Sequence, residues 1–138
     1  MSLVSAKLGR TVGRHVTWDV YLTDEIDGWL HELSVTDFST YEQVVIAIEL
    51  LAETGPTLGR PLVDRIKGSS LHNLKELRPG SGGDSEVRIL FAFDPWRSAI
   101  LLTAGNKNHA WKSWYRENVP RAETLYSQYL DSRRRAEE

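Results

Sequence analysis

The chain has 138 residues, 26% of them charged, with a formal net charge of −2, which is enough for one domain that buries its own core without staples. It has no cysteine, which excludes disulfides and thiolate metal sites and agrees with a reducing cytoplasm. No apolar run approaches the roughly 20 residues of a membrane span, and MSLVSAKLGR lacks the apolar centre of a signal peptide, so a cytoplasmic protein is expected.

Residues 1–13 mix small, polar and basic types and read as a flexible leader, ahead of a single domain over 14–132. From His15 the chain alternates, with Val16, Trp18, Val20 and Leu22 on one face, the pattern of a half-buried strand. Thr23 then offers an N-cap, and Asp24, Glu25 and Asp27 put negative charge where a helix dipole favours it. Ile26, Trp29, Leu30 and Leu33 follow at helical spacing to an end near Ser34. Ser39 and Glu42 have capping-box spacing, and Tyr41, Val44, Val45, Ile48 and Leu51 form the apolar stripe of a second helix stopped by Gly55-Pro56. Thr57 to Ser70 carries two glycines, a proline, Arg60, Arg65 and Lys67, and reads as a basic loop.

Three strand-like runs come next: LKELR, EVRILFAF and SAILLTAG. A Gly-rich turn from Pro79 to Ser85 and a tight Asp94-Pro95-Trp96 turn separate them, which predicts an antiparallel meander. The last run, Ala99 to Ala104, is almost wholly apolar, as a central strand covered on both faces would be. Trp111, Trp114 and Tyr115 predict a short helix, interrupted at Val119-Pro120, with Pro120 in the first turn of a final helix docked by Leu125, Tyr129 and Leu130. Residues 133–138 read as a frayed, solvated tail.

Charge is segregated. Residues 1–64 sum to −6 and residues 65–116 to +5, so an acidic protein can still carry a positive face. In the meander Arg78 closes the first strand, Arg88 interrupts the second and Lys107 follows the third, so three cations converge on one sheet.

The ordered set of a Leu-Lys-Glu-Leu-Arg strand, a glycine turn, a Val-Arg-Ile-Leu-Phe strand, an apolar strand and then Gly-Asn-Lys resembles the toxins of the RelE/ParE superfamily. It is most similar to the HigB-like, phage-derived Gp49-like branch, over Leu62 to Leu130 and including Trp114-Tyr115-Arg116-Glu117-Asn118. The resemblance implies an α+β, RelE-like fold with a central, mainly antiparallel sheet, two N-terminal helices on one face and a C-terminal helix. It also implies a metal-independent endoribonuclease that cuts messenger RNA on the ribosome and is silenced by a cognate antitoxin of helix-turn-helix type. A ParE-like toxin that poisons DNA gyrase without nuclease chemistry is the alternative on the same fold.

Such cleavage needs a base for the ribose 2′-OH, an acid for the leaving 5′ oxygen and cations for the phosphoryl charge, a task that arginine's planar fork suits. By motif position Arg88 resembles the family's scissile-phosphate arginine, Lys107 the basic residue after the last strand, and Arg78 the arginine closing the first. Glu76 stands where some relatives carry a lysine taken as the base; close to arginines it could act as a weak base, orient Arg88, or only form a cross-strand ion pair. If Arg78 lies opposite Glu86 and Glu76 opposite Arg88, all three share one face, and a slip of one residue would reverse that. His72 and His109 are further proton-transfer candidates, and Lys75 and Lys112 candidate phosphate contacts. Tyr115 sits near the place of an aromatic that stacks on a base, a contact of about 1–3 kcal/mol.

Other chemistries find little support. The four histidines are scattered, without HExxH or a carboxylate cluster, so no metal is expected. Gly80, Gly82 and Gly83 join two strands rather than a strand to a helix, which argues against a nucleotide-binding fold.

Overall fold

The computed structural model describes residues 3–5, 18–80, 86–106 and 111–137. The described chain runs β1 (Leu3–Ser5), β2 (Asp19–Thr23), α1 (Asp24–Thr36), α2 (Phe38–Thr54), β3 (Val63–Arg65), β4 (Lys75–Leu77), β5 (Val87–Phe93), β6 (Ser98–Asn106) and α3 (Trp111–Ala136). The strands form one sheet in the order β1-β2-β6-β5-β4-β3, antiparallel throughout except for the parallel pair β2 and β6. The β4-β5-β6 meander is as the sequence predicts, and β6 is the buried central strand. None of the described helices is long and apolar enough to cross a membrane.

Local chemistry explains the helix boundaries. The Thr23 hydroxyl accepts from the Ile26 amide at 3.3 Å and caps α1, whose first turn carries Asp24, Glu25 and Asp27. Asp37 serves both helices: its N–H donates to the Leu33 carbonyl at 2.9 Å, and its carboxylate accepts from the Thr40 amide at 3.2 Å and hydroxyl at 2.6 Å. Those bonds hold its carboxyl below the ordinary range. Asp37 thus takes the capping role expected of Ser39, because a charged acceptor lies two residues earlier at the positive end of the dipole. Gly55 ends α2 at φ 74°, where the Trp18 indole leaves no room for a Cβ.

The two sheet faces hold separate cores. Ile26, Leu30, Val44, Ile48 and Leu51 of α1 and α2 pack on Leu22, Ile89, Phe91 and Leu101. Ala122, Tyr126 and Tyr129 of α3 pack on Leu74, Leu90, Ala92, Ile100 and Leu102 of the other face. The register of β5 on β6 shifts between Leu90, opposite Thr103, and Phe91, opposite Leu101, so β6 carries Leu102 as an extra residue. The Leu102 carbonyl accepts from the buried Thr23 hydroxyl at 2.9 Å.

Four elements differ from expectation. Leu3–Ser5, inside the expected leader, pairs with β2, while 6–13 lie outside the described residues, as do 15–17 of the expected first strand. The basic loop contains β3, which pairs with β4 and gives the sheet its outer edge. The expected break at Val119-Pro120 does not occur, and α3 is one helix of 26 residues with Pro120 inside it. The buried Asn118 braces that point: its side chain donates to the Trp114 carbonyl at 2.9 Å and accepts from Arg121 at 3.3 Å. The tail is helical through Ala136, with Arg133, Arg134 and Arg135 in the last turn where the dipole favours cations.

The second half of α3 is fastened through the Asp94 turn. Asp94 accepts from the amides of Trp96 and Ser98, both at 2.8 Å, and from the Tyr129 hydroxyl, which in turn accepts from Arg133 at 2.8 Å. Arg133 also lies over the Trp96 ring at 5.0 Å. Burial and the Asp94 carboxylate push the Tyr129 hydroxyl well above an ordinary phenol. A raised folded-state value gives stability that is complete below the unfolded value of about 10 and lost as pH rises beyond it. Tyr129→Phe is therefore expected to lower the unfolding free energy by about 1–3 kcal/mol in urea titrations at pH 7, and to flatten the loss of stability that wild type shows between roughly pH 10 and 12.

Candidate functional site

β4 and β5 decide which charged side chains meet. Lys75 lies opposite Phe91, Glu76 opposite Leu90 and Leu77 opposite Ile89. Glu76 thus pairs two residues further along β5 than the expected partner Arg88. A shift of two preserves the face, so Glu76, Arg78 and Arg88 still share one side of the sheet. It is the α3 side, because Leu90 packs in the α3 core.

Glu76 is buried at 3% exposure, and both its oxygens are engaged. Oε1 accepts from Arg78 Nε at 2.9 Å and Nη2 at 2.7 Å, and Oε2 accepts from the Tyr115 hydroxyl at 2.5 Å. Arg78 Nη2 also reaches Asp64 Oδ2 at 3.1 Å, so two carboxylates grip one guanidinium. Burial opposes the Arg78 charge, but the hydrogen bond to Glu76 and the Glu76 and Asp64 charges outweigh it and raise its affinity for the proton. Burial first, then the Glu76 carboxylate, pushes the Tyr115 hydroxyl far above an ordinary phenol, against the opposing Arg88 charge. Tyr115 is a neutral donor at any physiological pH.

Arg88 is 6% exposed, and its Nη1 donates to the Val87 carbonyl at 2.8 Å. Its register partner on β6 is Gly105. A Cβ at Gly105 would lie 2.7 Å from Trp114 Nε1, so the missing side chain is what lets the indole settle on the strand. Trp114 and Tyr115 meet edge to face at 5.1 Å, and Tyr115 meets Trp111 at 6.5 Å. The start of α3 therefore roofs the Arg88 and Glu76 face with three aromatic rings.

The chain matches the family described as phage derived protein Gp49-like over residues 29–127, which is most of its length. It is 54% identical over 107 residues to the Mycobacterium tuberculosis protein named "Putative toxin HigB2", covering 78% of this chain and 52% of that protein. It is 44% identical over 113 residues to "Putative toxin HigB3" of the same organism, covering 82% of this chain and 94% of the relative. The chain belongs to the Gp49-like, HigB-like branch of the RelE superfamily. The matched region spans about half the length of the first of these relatives.

Not every residue that the Gp49-like resemblance marks comes to this face. Lys75 alternates to the opposite side and stands over the Phe93 ring at 5.4 Å, where burial and the Arg65 charge lower its proton affinity. His72 is exposed beyond the Phe93 end of β4, next to Asn73, which donates to the Phe93 carbonyl at 2.9 Å. Five residue steps along β5 separate that end from Arg88, on the order of 16 Å. Lys112 is exposed on α3, its ammonium 5.4 Å from the Trp111 ring centre. Lys107 and His109 lie outside the described residues, as does the turn over 81–85.

Sequence reasoning missed Asp64 and Trp114. Asp64 was hidden in a segment read as loop, and only the pairing of Asp64 with Glu76 across β3 and β4 shows two carboxylates converging on Arg78. Gly105 two residues before Lys107 was the available hint for Trp114, since a glycine inside a strand marks close approach of another group.

Removing Glu76 leaves Arg78 without its main partner in a largely dry position. Glu76→Ala is expected to cost about 3 kcal/mol in urea unfolding, near the lower end for breaking a buried pair because Arg78 keeps some contact with water. A double-mutant cycle with Arg78→Ala should return a coupling above about 1 kcal/mol.

Proposed function

We propose that this protein is the toxin of a type II toxin–antitoxin system, a metal-independent endoribonuclease that cleaves messenger RNA on the ribosome and is silenced by an antitoxin with a helix-turn-helix domain. The observation that carries the reading is the register that puts Arg78 and Arg88 on one sheet face, each one step beyond the Leu77–Ile89 pair. The relatives named as HigB toxins support the biological setting.

In this reading the 2′ oxygen attacks the adjacent phosphorus, forming the O2′–P bond and breaking P–O5′. The 2′-OH proton passes to a base, and a proton is delivered to the departing 5′ oxygen, giving a 2′,3′-cyclic phosphate and a 5′-hydroxyl end. Arg88 neutralises the charge gathering on the phosphoryl oxygens, with Arg78 beside it and Lys107, next but one after Gly105 in sequence, as a third cation. Glu76 acts first as a positioning residue: with Oε1 on Arg78 and Oε2 on Tyr115, it fixes the arginine rather than holding a lone pair open for a proton. Lys112 supplies a phosphate contact outside the reacting centre, affecting affinity more than rate.

The test is primer extension on messenger RNA bound to programmed ribosomes with purified protein. Wild type is expected to give discrete cuts ending in cyclic phosphate, and Arg88→Ala to lower the rate by roughly 100- to 1,000-fold, the usual loss on removing a group that stabilises transition-state charge. Intact messenger with wild-type protein, or DNA gyrase inhibited while translation continues, would overturn the proposal.

A further inference from the structure

Arg88 and Glu76 are 6% and 3% exposed, yet a phosphodiester must touch Arg88 directly if the site cleaves RNA. Among the described residues, the beginning of α3 covers them, through Tyr115 on Glu76 and Trp114 on Gly105. We propose that residues 111–117 form a lid, hinged at Pro120 and latched by the Tyr115 hydroxyl on Glu76, that swings off the arginine face to admit a single strand of RNA. The purpose of the lid rests on the nuclease reading. Its existence does not.

Three features of the helix support a division at Pro120. First, the buried residues of α3 are Asn118, Ala122, Tyr126 and Tyr129, and none precedes Asn118, so the first two turns bury no side chain fully while the rest is anchored in the core. Second, Pro120 has no N–H for the Arg116 carbonyl, and its ring crowds that carbonyl, so the backbone ladder is weakest between the two parts. Third, the ties of the two parts differ in kind. Beyond Pro120 the helix is held by the Tyr126 hydroxyl on the Phe93 carbonyl at 2.6 Å, by Tyr129 on Asp94 and by Glu123 on Ser69 and Ser70. Before it, the ties are side-chain contacts of two half-buried residues: Tyr115, whose hydroxyl bonds Glu76 and also interacts with Arg88, and Trp114, whose ring rests on Gly105 at the edge of the core.

The lid leaves its most polar surface outward, with Lys112 and Arg116 exposed and Trp111 50% exposed. An RNA backbone approaching this surface meets two cations and an aromatic face before it reaches the buried arginine. Opening breaks the Tyr115–Glu76 bond and frees Glu76 Oε2, so the same movement that uncovers Arg88 also gives the carboxylate an oxygen able to accept a proton. Closure keeps the cationic site dry when no strand is bound.

Because the natural chain has no cysteine, a single thiol can report the opening. In an Arg88→Cys protein, thiol labelling is expected to be much faster than global unfolding allows and insensitive to low urea. Adding Tyr115→Phe, or Gly105→Ala to displace Trp114, should speed labelling about tenfold, and Pro120→Ala should slow it by a similar factor. Amide exchange over 122–133 should stay unchanged in all four proteins. Labelling only at the global unfolding rate, or exchange over 122–133 rising in step with it, would overturn the lid, the second result showing that α3 leaves as one body. Ribosome cleavage by the cysteine-free protein is scored separately: a lid that opens beside intact messenger sinks the nuclease reading alone, and cleavage without independent opening sinks the lid alone.

Discussion

The Glu76 carboxylate is the group around which the α3 side of this molecule is arranged. Burying an ionised carboxylate is costly unless its oxygens are filled, and here each oxygen is filled by a different part of the chain. Arg78 comes from the end of its own strand and brings Asp64 of the edge strand with it, while Tyr115 comes from the helix. Remove the carboxylate and three things lose their reason: the fixed guanidinium, the convergence of β3 on β4, and the seating of the helix start above Arg88. The charge arithmetic also follows. Asp64, Glu76 and Arg78 together leave one net negative charge, so the positive charge of this face comes from Arg88 beside them and from Lys112 and Arg116 on the covering helix.

The same economy explains how an acidic chain keeps a basic face. The acidic residues of 1–64 lie largely on α1 and α2, which cover the side of the sheet away from the arginines. A six-stranded sheet stands between most of that negative charge and Arg88. The ion pair of Arg121 with Glu25 joins α3 to the start of α1 across this division. It is exposed and contributes little to stability, so the division rests on the two separate apolar cores rather than on surface pairs.

Much of this was legible in the residues. Alternation and turn chemistry showed the meander and the central strand, and the expected register put Glu76, Arg78 and Arg88 on one face although it was two residues off. Parity survives a slip of two, which is why the face was readable and the partner was not. The helix limits were less readable because they depended on which of two nearby polar residues took the cap, and Asp37 outcompeted Ser39. Pro120 misled for a different reason. Proline marks a weak point in a helix, and the sequence cannot show that Asn118 bridges that point from the side or that Tyr126 and Tyr129 hold the helix beyond it. Tyr115 was expected as an aromatic that stacks on a base; its hydroxyl bonds Glu76, a contact that depends on how far α3 lies from β4 and that no sequence pattern shows.

The extra residue in β6 carries a consequence that composition and periodicity hide. In a regular strand Ala104 would continue the face shared by Ile100 and Leu102. The bulge at Leu102 re-phases the strand, so that Thr103 stands opposite Leu90 and Gly105 stands opposite Arg88. Without that step Ala104 would stand opposite the arginine, and its Cβ would occupy the space where the Trp114 indole rests. Thr23 stabilises the step by donating to the Leu102 carbonyl while accepting from the Ile26 amide, so one hydroxyl both caps α1 and satisfies the bulge. The placement of the roof over Arg88 is thus set from the far side of the sheet, by the residue that starts the first helix.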